Sequence, residues 1–454
     1  MLFRCLKVLF KIANRLYFRS YKIEGLENIP ETGPVLLTAN HPSAFMDPIV
    51  IASLTKRPVY FLARSVYFQN GFIKWLFSKL HMIPIYRAHE APQETHKNKD
   101  SFKFCIQHFE KGGVILIFPE GISLTERKIK KIQSGAARIC FGAEAQNNFN
   151  LNLKIVSIGL NFSNPHKFQS VLFVKIEKPI VIKDYETLYR EDSFKAARKL
   201  TEDIRVNLEK AVVHIEDEAV DKLVASIELI YKAKLFADNG YPHQQTNWDF
   251  NTSKMISDCV HDYLQSDSER VQSVQNKINT YLDDLERLKL KDENIRHVEQ
   301  QNVWTKTLTS FLYTIFGFPV FLYGFLHHYI PFRIPNIIGK KMSSRAEFYG
   351  SLALSLGTFM FLIFYSVYFY IFYLIFENWM MSIIYLVTLP VTGLFSFYYY
   401  QRLTNIKKSW DILSMFYRKT NLITGLIQQR SEIISELEQA KEMYFKKINF
   451  KRSV

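Results

Sequence analysis

The sequence is poor in cysteine. Cys5, Cys105, Cys140 and Cys259 occur in 454 residues, none in a CxxC pair and none beside a histidine at metal-ligand spacing. This scarcity argues against a disulfide framework and against a structural zinc site. We therefore predict reduced thiols, no bound metal, and a soluble part that faces the cytosol.

The sequence also lacks any zinc-finger or RNA-recognition pattern, although its formal net charge is +15. Without such a motif, basic charge favours an anionic membrane surface over nucleic acid. The many aromatic residues, 38 Phe and 25 Tyr, support this because they concentrate in long apolar segments near the C-terminus. We predict membrane lipids as partners and no nucleic acid.

No acidic residue precedes Glu24, whereas basic residues recur through the first two dozen positions. They are Arg4, Lys7, Lys11, Arg15, Arg19 and Lys22. They interrupt any signal-peptide hydrophobic region, and the apolar residues between them follow helical spacing. We predict that residues 1–22 form a basic amphipathic helix in the membrane interface. An ordinary amphipathic helix docked on a protein core is the open alternative.

Charge is absent from Gly350–Phe376, which is longer than the roughly 20 residues needed to cross a bilayer. Trp379–Tyr400 follows after only Glu377 and Asn378, so residues 350–400 are predicted to form a transmembrane hairpin. Cations on both flanks place those flanks in the cytoplasm. They are Lys340, Lys341, Arg345, Arg402, Lys407 and Lys408.

Another apolar segment, residues 306–332, contains Gly317, Pro319 and Gly324. A crossing here would separate the N-terminal domain from the cationic flanks of the hairpin. We predict a re-entrant or interfacial segment that breaks at Pro319. Residues 401–454 are predicted to form a basic cytosolic helical tail. This arrangement makes the chain an integral membrane protein with its N-terminal domain on the cytoplasmic face.

Residues 23–183 alternate short β-rich runs with helical stretches, which predicts an α/β domain with a mainly parallel sheet flanked by helices. The predicted strands are Val35–Ala39, Val59–Leu62, Val114–Phe118, Ile155–Phe162, and Val171–Ile182 with a break at Pro179. Strand signals end there, and residues 184–305 are predicted to form a helical second domain.

Polar residues follow two of these strands. In "LLTANHPSAFMDPIV", His41 lies just past a strand, and Asp47 precedes Pro48 as a predicted helix N-cap. In "GGVILIFPEG", Glu120 and Gly121 follow the next apolar run. Ligands gather outside the carboxyl ends of strands in such sheets. His41 is therefore a candidate general base with Asp47 as its orienting carboxylate.

The blocks "NHPSAFMD", "IPIYR", "FPEG" and "IVSIGL" resemble, in order, the four motifs of the glycerolipid acyltransferases. The resemblance covers about residues 22–183. It implies catalysis by His41 and Asp47, with no bound cofactor, and transfer from acyl-CoA or acyl-carrier protein to a glycerol phosphate acceptor. The residues predicted to bind substrate are Asn40, Ser43, Arg87, Glu120, Gly121, Arg127 and Lys131.

The sequence departs from the family pattern at three places. Five residues, Pro42 to Met46, separate His41 from Asp47, one more than is usual. The third block continues with Ile122 and Ser123, without a residue that often aids phosphate binding. Arg127 or Lys131 is the candidate replacement. The fourth block has Ser157 where a proline is usual. The branch acting on glycerol-3-phosphate and dihydroxyacetone phosphate is similar in its longer spacing and its C-terminal membrane segments.

The chemistry predicted here is direct acyl transfer. The chain has no G-x-S-x-G nucleophile motif, so the acceptor hydroxyl itself is expected to attack the thioester. Glycerol-3-phosphate or 1-acylglycerol-3-phosphate is the expected acceptor. The alternatives are another lysophospholipid or an aminoacyl lipid as acceptor, and a non-catalytic membrane scaffold. A metal hydrolase lacks a third convincing ligand.

Overall fold

A computed structural model describes residues 2–68, 70–87, 90–238, 246–299, 303–343, 345–418 and 420–453. The chain divides into two compact units. The sheet unit comprises Met1–Glu216, Gln245–Phe250 and Pro335–Thr358. The helical unit comprises Asp217–Gln244, Asn251–Ile334 and Phe359–Val454.

Among the described residues, eight strands form one sheet. They are β1 Ser20–Glu24, β2 Val35–Ala39, β3 Val59–Arg64, β4 Met82–Ile85, β5 Val114–Ile117, β6 Lys154–Phe162, β7 Val171–Ile176 and β8 Ile180–Val181. Their order is β1-β7-β6-β2-β5-β3-β4, with β8 also paired to β6. Only the β6–β7 and β6–β8 pairs are antiparallel among these strands. The predicted mainly parallel sheet is confirmed.

The central strand β2 explains why the sheet forms. All five residues of its sequence VLLTA are buried, as expected for a strand covered on both faces. Leu36 aligns with Ile115 of β5 and Ile155 of β6 and belongs to one core cluster. Leu37 points to the opposite core cluster. The sheet therefore separates two apolar layers.

Helices cover both faces of the sheet. They are α1 Leu2–Tyr17, α2 Met46–Leu54, α3 Gly71–Lys79, α4 Asn98–Glu110, α5 Gly135–Gln146, α6 Glu186–Glu191 and α7 Ser193–Ala211. Buried residues of α4, α5 and α7 pack on one face, called the α4 face. Buried residues of α1 and α2 pack on the other, called the α2 face. Because α7 packs on the sheet, the sheet unit extends beyond the predicted boundary at residue 183 to Glu216.

Long helices make up the rest of the chain. They are α8 Glu218–Asp238, α9 Thr246–Ser266, α10 Ser268–Arg287, α11 Asp292–Glu299, α12 Val303–Met342, α13 Glu347–Phe376, α14 Trp379–Arg418 and α15 Thr420–Ser453. A buried ion pair ties α15 to α11 in the helical unit. Arg430 Nε lies 2.8 Å from Asp292 Oδ1, which also accepts the Tyr281 hydroxyl at 2.9 Å.

Three described helical segments are long and apolar enough to cross a membrane, by length and composition. They are Leu312–Met342, Glu347–Phe376 and Trp379–Thr404. The predicted break at Pro319 is wrong, because α12 runs without interruption from Val303 to Met342. A proline removes one backbone hydrogen bond, a loss that helices in an apolar bundle tolerate. That this segment does not cross the bilayer stays a prediction.

Candidate active site

His41 and Asp47 form a hydrogen-bonded pair at the carboxyl end of β2. His41 Nδ1 lies 2.8 Å from Asp47 Oδ2. The Asp47 side chain is fully buried, whereas 19% of the His41 side chain is exposed. The extra residue between them therefore does not separate the pair, and the predicted hydrogen-bond reach is confirmed. A buried carboxylate on one ring nitrogen leaves the other nitrogen to face substrate.

The loop between the two residues differs from the predicted N-cap. Helix α2 begins at Met46, so Asp47 lies in its first turn and Phe45 occupies the capping position. The Asp47 carboxylate instead accepts the Ser43 amide at 2.8 Å as well as the His41 ring. The chain turns at Ala44, whose φ is 36°. The carboxylate thus organises the loop that precedes it rather than the start of the helix.

Burial is the largest influence on the pKa of Asp47. Desolvation raises the pKa of this carboxyl above its usual value, and the hydrogen bond from His41 opposes that rise. One carboxylate oxygen, Oδ1, is buried and has no hydrogen-bond partner among the residues that the structure describes. Asp47 is therefore held by two donors on a single oxygen atom, which fixes the direction in which it faces His41.

The segment that follows the neighbouring strand β5 supplies two further contacts to His41. The ring of Phe118 stacks on the imidazole with centroids 3.9 Å apart and planes 11° from parallel. Glu120 accepts the His41 amide at 3.3 Å and the Lys130 amide at 2.8 Å. Burial raises the pKa of the Glu120 carboxyl. Sequence reasoning missed Phe118, although it lies two residues before the predicted site residue Glu120.

A cationic cluster lies at the same edge of the sheet. Glu90 pairs with Arg64 at 2.6 Å and with Arg87 at 3.4 Å. Arg87 also approaches the turn after β5, since a Cβ built on Gly121 would lie 3.7 Å from its Nη2 atom. Arg87 and Gly121 were predicted, whereas Arg64 and Glu90 were not. Strand β3 is two residues longer than predicted and ends at Arg64, which was the available signal.

The side chains of two predicted substrate ligands make contacts within the protein. The Asn40 side chain bonds both backbone groups of Leu160, at 3.0 and 2.7 Å, and so fastens β2 to β6. The Ser43 hydroxyl is buried and points to the Met46 sulfur, 3.9 Å away. Both side chains are used within the protein, because the end of a buried strand needs partners for its polar groups.

The two predicted cations after β5 are Arg127 and Lys131. Arg127 accepts the Ile215 amide through its backbone oxygen at 2.7 Å. Lys131 is exposed. No group of three or more His, Cys, Asp or Glu able to hold a metal ion occurs within the described ranges.

An acyltransferase family model matches residues 20–160, the segment that contains every contact of His41 described above. The chain contains an acyltransferase domain. The predicted resemblance to the glycerolipid acyltransferases is confirmed by the curated relatives that match this domain.

Two relatives illustrate the match. The chloroplastic 1-acyl-sn-glycerol-3-phosphate acyltransferase LPAT1 of Arabidopsis thaliana is 30% identical over 120 residues, 26% of this chain and 32% of the relative. Glycerol-3-phosphate O-acyltransferase 1 of Saccharomyces cerevisiae is 30% identical over 128 residues, 28% of this chain and 17% of the relative. The chain thus spans a third or less of the length of these relatives.

Among solved structures, the 1-acyl-sn-glycerophosphate acyltransferase PlsC of Thermotoga maritima is similar to 44% of this chain and to 78% of its own. The sequence identity is 19% and the TM-score is 0.31. The strand pairing and the two apolar core layers of this chain define the α/β fold of its acyltransferase domain.

Proposed function

We propose that this protein is a membrane-bound O-acyltransferase. It moves a fatty acyl group from acyl-CoA or acyl-carrier protein to a hydroxyl of glycerol-3-phosphate or 1-acylglycerol-3-phosphate. The observation that supports this most directly is the 2.8 Å contact between His41 and the buried Asp47. No nucleophilic side chain is needed, because the acceptor supplies the attacking oxygen.

The proposed reaction is a direct transfer. Asp47 accepts a hydrogen bond from the Nδ1–H group of His41 and thereby fixes the tautomer with a free Nε2 lone pair. The acceptor hydroxyl gives its proton to Nε2 while its oxygen attacks the thioester carbonyl. The new C–O bond forms, the C–S bond breaks, and the sulfur leaves with the electron pair and recovers the proton from His41. General base catalysis of this kind contributes about 10²–10⁴-fold to the rate.

Arg64 and Arg87 are the proposed ligands of the acceptor phosphate. Glu90 lies between them and forms an ion pair with each guanidinium group. A phosphate offers the same hydrogen-bond acceptors with more negative charge, so it would replace Glu90 at this cluster. Glu120 would act by fixing the His41 loop through its two backbone contacts.

Helix α1 is the proposed interfacial element. Phe3 and Ala13 pack on the sheet core, while Leu2, Val8, Ile12 and Leu16 are exposed. The helix therefore docks through one face and leaves a second apolar stripe uncovered, flanked by cations. A helix of this kind lies in the headgroup region with its apolar stripe in the lipid. The cytoplasmic location of the acyltransferase domain is proposed from the cationic flanks of the hairpin.

The test is a panel of acyl donors and acceptors supplied to the full chain in nanodiscs. Glycerol-3-phosphate, 1-acylglycerol-3-phosphate and lysophosphatidylcholine would be compared with acyl-CoA and acyl-carrier protein. His41→Ala should abolish transfer, whereas His96→Ala, at an exposed histidine, should retain it. Transfer to lysophosphatidylcholine alone would select the alternative acceptor class. Equal rescue of a deficient cell by wild type and His41→Ala would select the scaffold.

A further inference from the structure

Helix α3 is an apolar helix that the sheet unit leaves uncovered. Its sequence GFIKWLFSK contains no buried residue, although most of its side chains are apolar. Phe72 is 69% exposed and Trp75 is 53% exposed. The helix is nevertheless well formed, since the Asn70 side chain caps it by accepting the Ile73 amide at 2.9 Å. Two large exposed aromatic residues on one helix face are typical of an interaction site.

Charge indicates what covers this helix. The sequence has no acidic residue from Pro48 through His89. Lys74 and Lys79 are exposed on α3 itself. Aromatic side chains beside lysines fit the boundary between acyl chains and anionic headgroups. Glu94 interacts electrostatically with Lys74 but forms its own ion pair with Lys97.

The position of α3 in the fold points to the same partner. Strands β2, β3 and β4 succeed one another in one direction across the sheet, so right-handed connections place α2 and α3 on the same face. Phe3 of α1 stacks on His81, just beyond α3, with centroids 4.3 Å apart. Leu354, in the first turns of the candidate membrane helix α13, packs into the core of this α2 face. Helices α1, α3 and α13 therefore share one face of the sheet unit.

We propose that α3 is a second membrane-contacting helix of the sheet unit. Phe72 and Trp75 enter the outer acyl-chain region of the bilayer, and Lys74 and Lys79 lie among anionic headgroups. Aromatic contacts connect the helix to the active site. Phe77 packs against Phe68 with centroids 5.1 Å apart, and Tyr67 lies 6.3 Å from Phe45, beside the His41 loop. The proposal concerns a surface and does not depend on acyl transfer.

Tryptophan fluorescence tests the insertion. The full chain would be reconstituted in nanodiscs that contain phosphatidylglycerol and either ordinary or bromine-labelled phosphatidylcholine. Subtracting the emission of the Trp75→Phe protein from that of wild type gives the emission of Trp75, because all other tryptophans are common to both proteins. We expect brominated lipid to quench this difference signal strongly.

Phe194 provides the matched control. It is 83% exposed on α7, which packs on the opposite, α4 face. F194W in the Trp75→Phe background reports a tryptophan that faces water, and we expect brominated lipid to leave its emission unchanged. Equal quenching at positions 75 and 194, or none at 75, overturns the proposal. Shielding of Trp75 that appears only with rising protein concentration also overturns it, in favour of a second copy.

A charge variant tests the lysines separately. K74E/K79E should reduce the quenching of Trp75 in nanodiscs with anionic lipid and have little effect in nanodiscs made only of phosphatidylcholine. An equal reduction of Trp75 quenching in both lipid mixtures would show that the two lysines do not interact with the charge of the headgroups. Circular dichroism of each variant would establish that it is folded.

Discussion

Asp47→Asn separates the catalytic role of Asp47 from its effect on stability. The substitution conserves volume at a fully buried position. The asparagine oxygen can still accept the Ser43 amide and the His41 ring N–H, so the loop is expected to keep its shape. The negative charge that stabilises the imidazolium in the transition state is lost. The asparagine amide can also donate to the histidine ring and favour the wrong tautomer. In serine proteases, the corresponding substitution lowers turnover by about 10⁴-fold, or ~5.4 kcal/mol, for this reason.

The same substitution has a defined effect on the pH dependence of stability. Burial raises the pKa of Asp47 in the folded state above its ordinary value of 3.8. At a pH between 3.8 and the raised pKa of the folded state, Asp47 is protonated in the folded chain and ionised in the unfolded chain. The free energy of unfolding therefore falls as the pH rises through this interval. The Asp47→Asn protein has no ionisable side chain at position 47. Its free energy of unfolding should therefore fall less steeply as the pH rises through the same range.

Two measurements on the full chain in nanodiscs check this prediction. The first is kcat for acyl transfer at saturating donor and acceptor. The second is thermal unfolding from acidic to neutral pH. Asp100→Asn, at an exposed position, is the matched control and should alter neither quantity. The reasoning is refuted if Asp47→Asn retains turnover within about tenfold of wild type, or if the pH slope of unfolding is unchanged.

Three further substitutions follow from the same geometry. Glu90→Gln should lower the KM for a phosphorylated acceptor, because it removes the competing carboxylate, whereas Glu94→Gln should leave KM unchanged. Gly121 has a φ of +74°, so Gly121→Ala should destabilise the protein by about 1–2 kcal/mol in thermal unfolding. Gly135→Ala, with open space around it, should not. Arg430→Met should lower the free energy of unfolding by about 3–5 kcal/mol, because it leaves the buried Asp292 carboxylate without its arginine counter-charge.

The strands were predictable where burial imposes a simple pattern. Strands β2, β5 and β6 lie within the sheet and each contains a run of buried apolar residues, so sequence reasoning found them. The edge strands β1, with the sequence SYKIE, and β4, with the sequence MIPI, were missed. An edge strand is covered on fewer sides and tolerates polar residues and proline, so it lacks the apolar run.

The site was predictable for a different reason. His41, Asp47 and Glu120 lie in short motifs next to recognisable strands. The pairing of Arg64 with Glu90 joins the last residue of β3 to the segment after β4, and neither residue type is informative by itself. The destinations of the Asn40 and Ser43 side chains depend on the backbone of β6 and on the shape of one loop, which no local pattern specifies.

Two of the departures from the family pattern are joined by a hydrogen bond in the structure. The first block has an additional residue between His41 and Asp47, and its loop turns through Ala44 with a positive φ of 36°. Such a conformation is unfavourable for alanine and needs support from its surroundings. The support comes from the altered third block, because Ser123 Oγ accepts the Ala44 amide at 2.9 Å. The following residue, Leu124, donates its amide to the His41 carbonyl at 3.1 Å.

The longer first block and the serine of the third block are therefore one structural feature. Ser123 is buried, and its own carbonyl accepts Arg345 Nη2 at 2.8 Å, so its hydroxyl is held in place rather than free to bind substrate. The added residue lets the loop turn sharply, and Ser123 holds the turn in the form that brings Asp47 to His41. A chain with the longer block but without a hydrogen-bond acceptor at position 123 would leave the Ala44 amide unpaired in a buried loop. The position that departs from the phosphate-binding pattern thus stabilises the contact between His41 and Asp47.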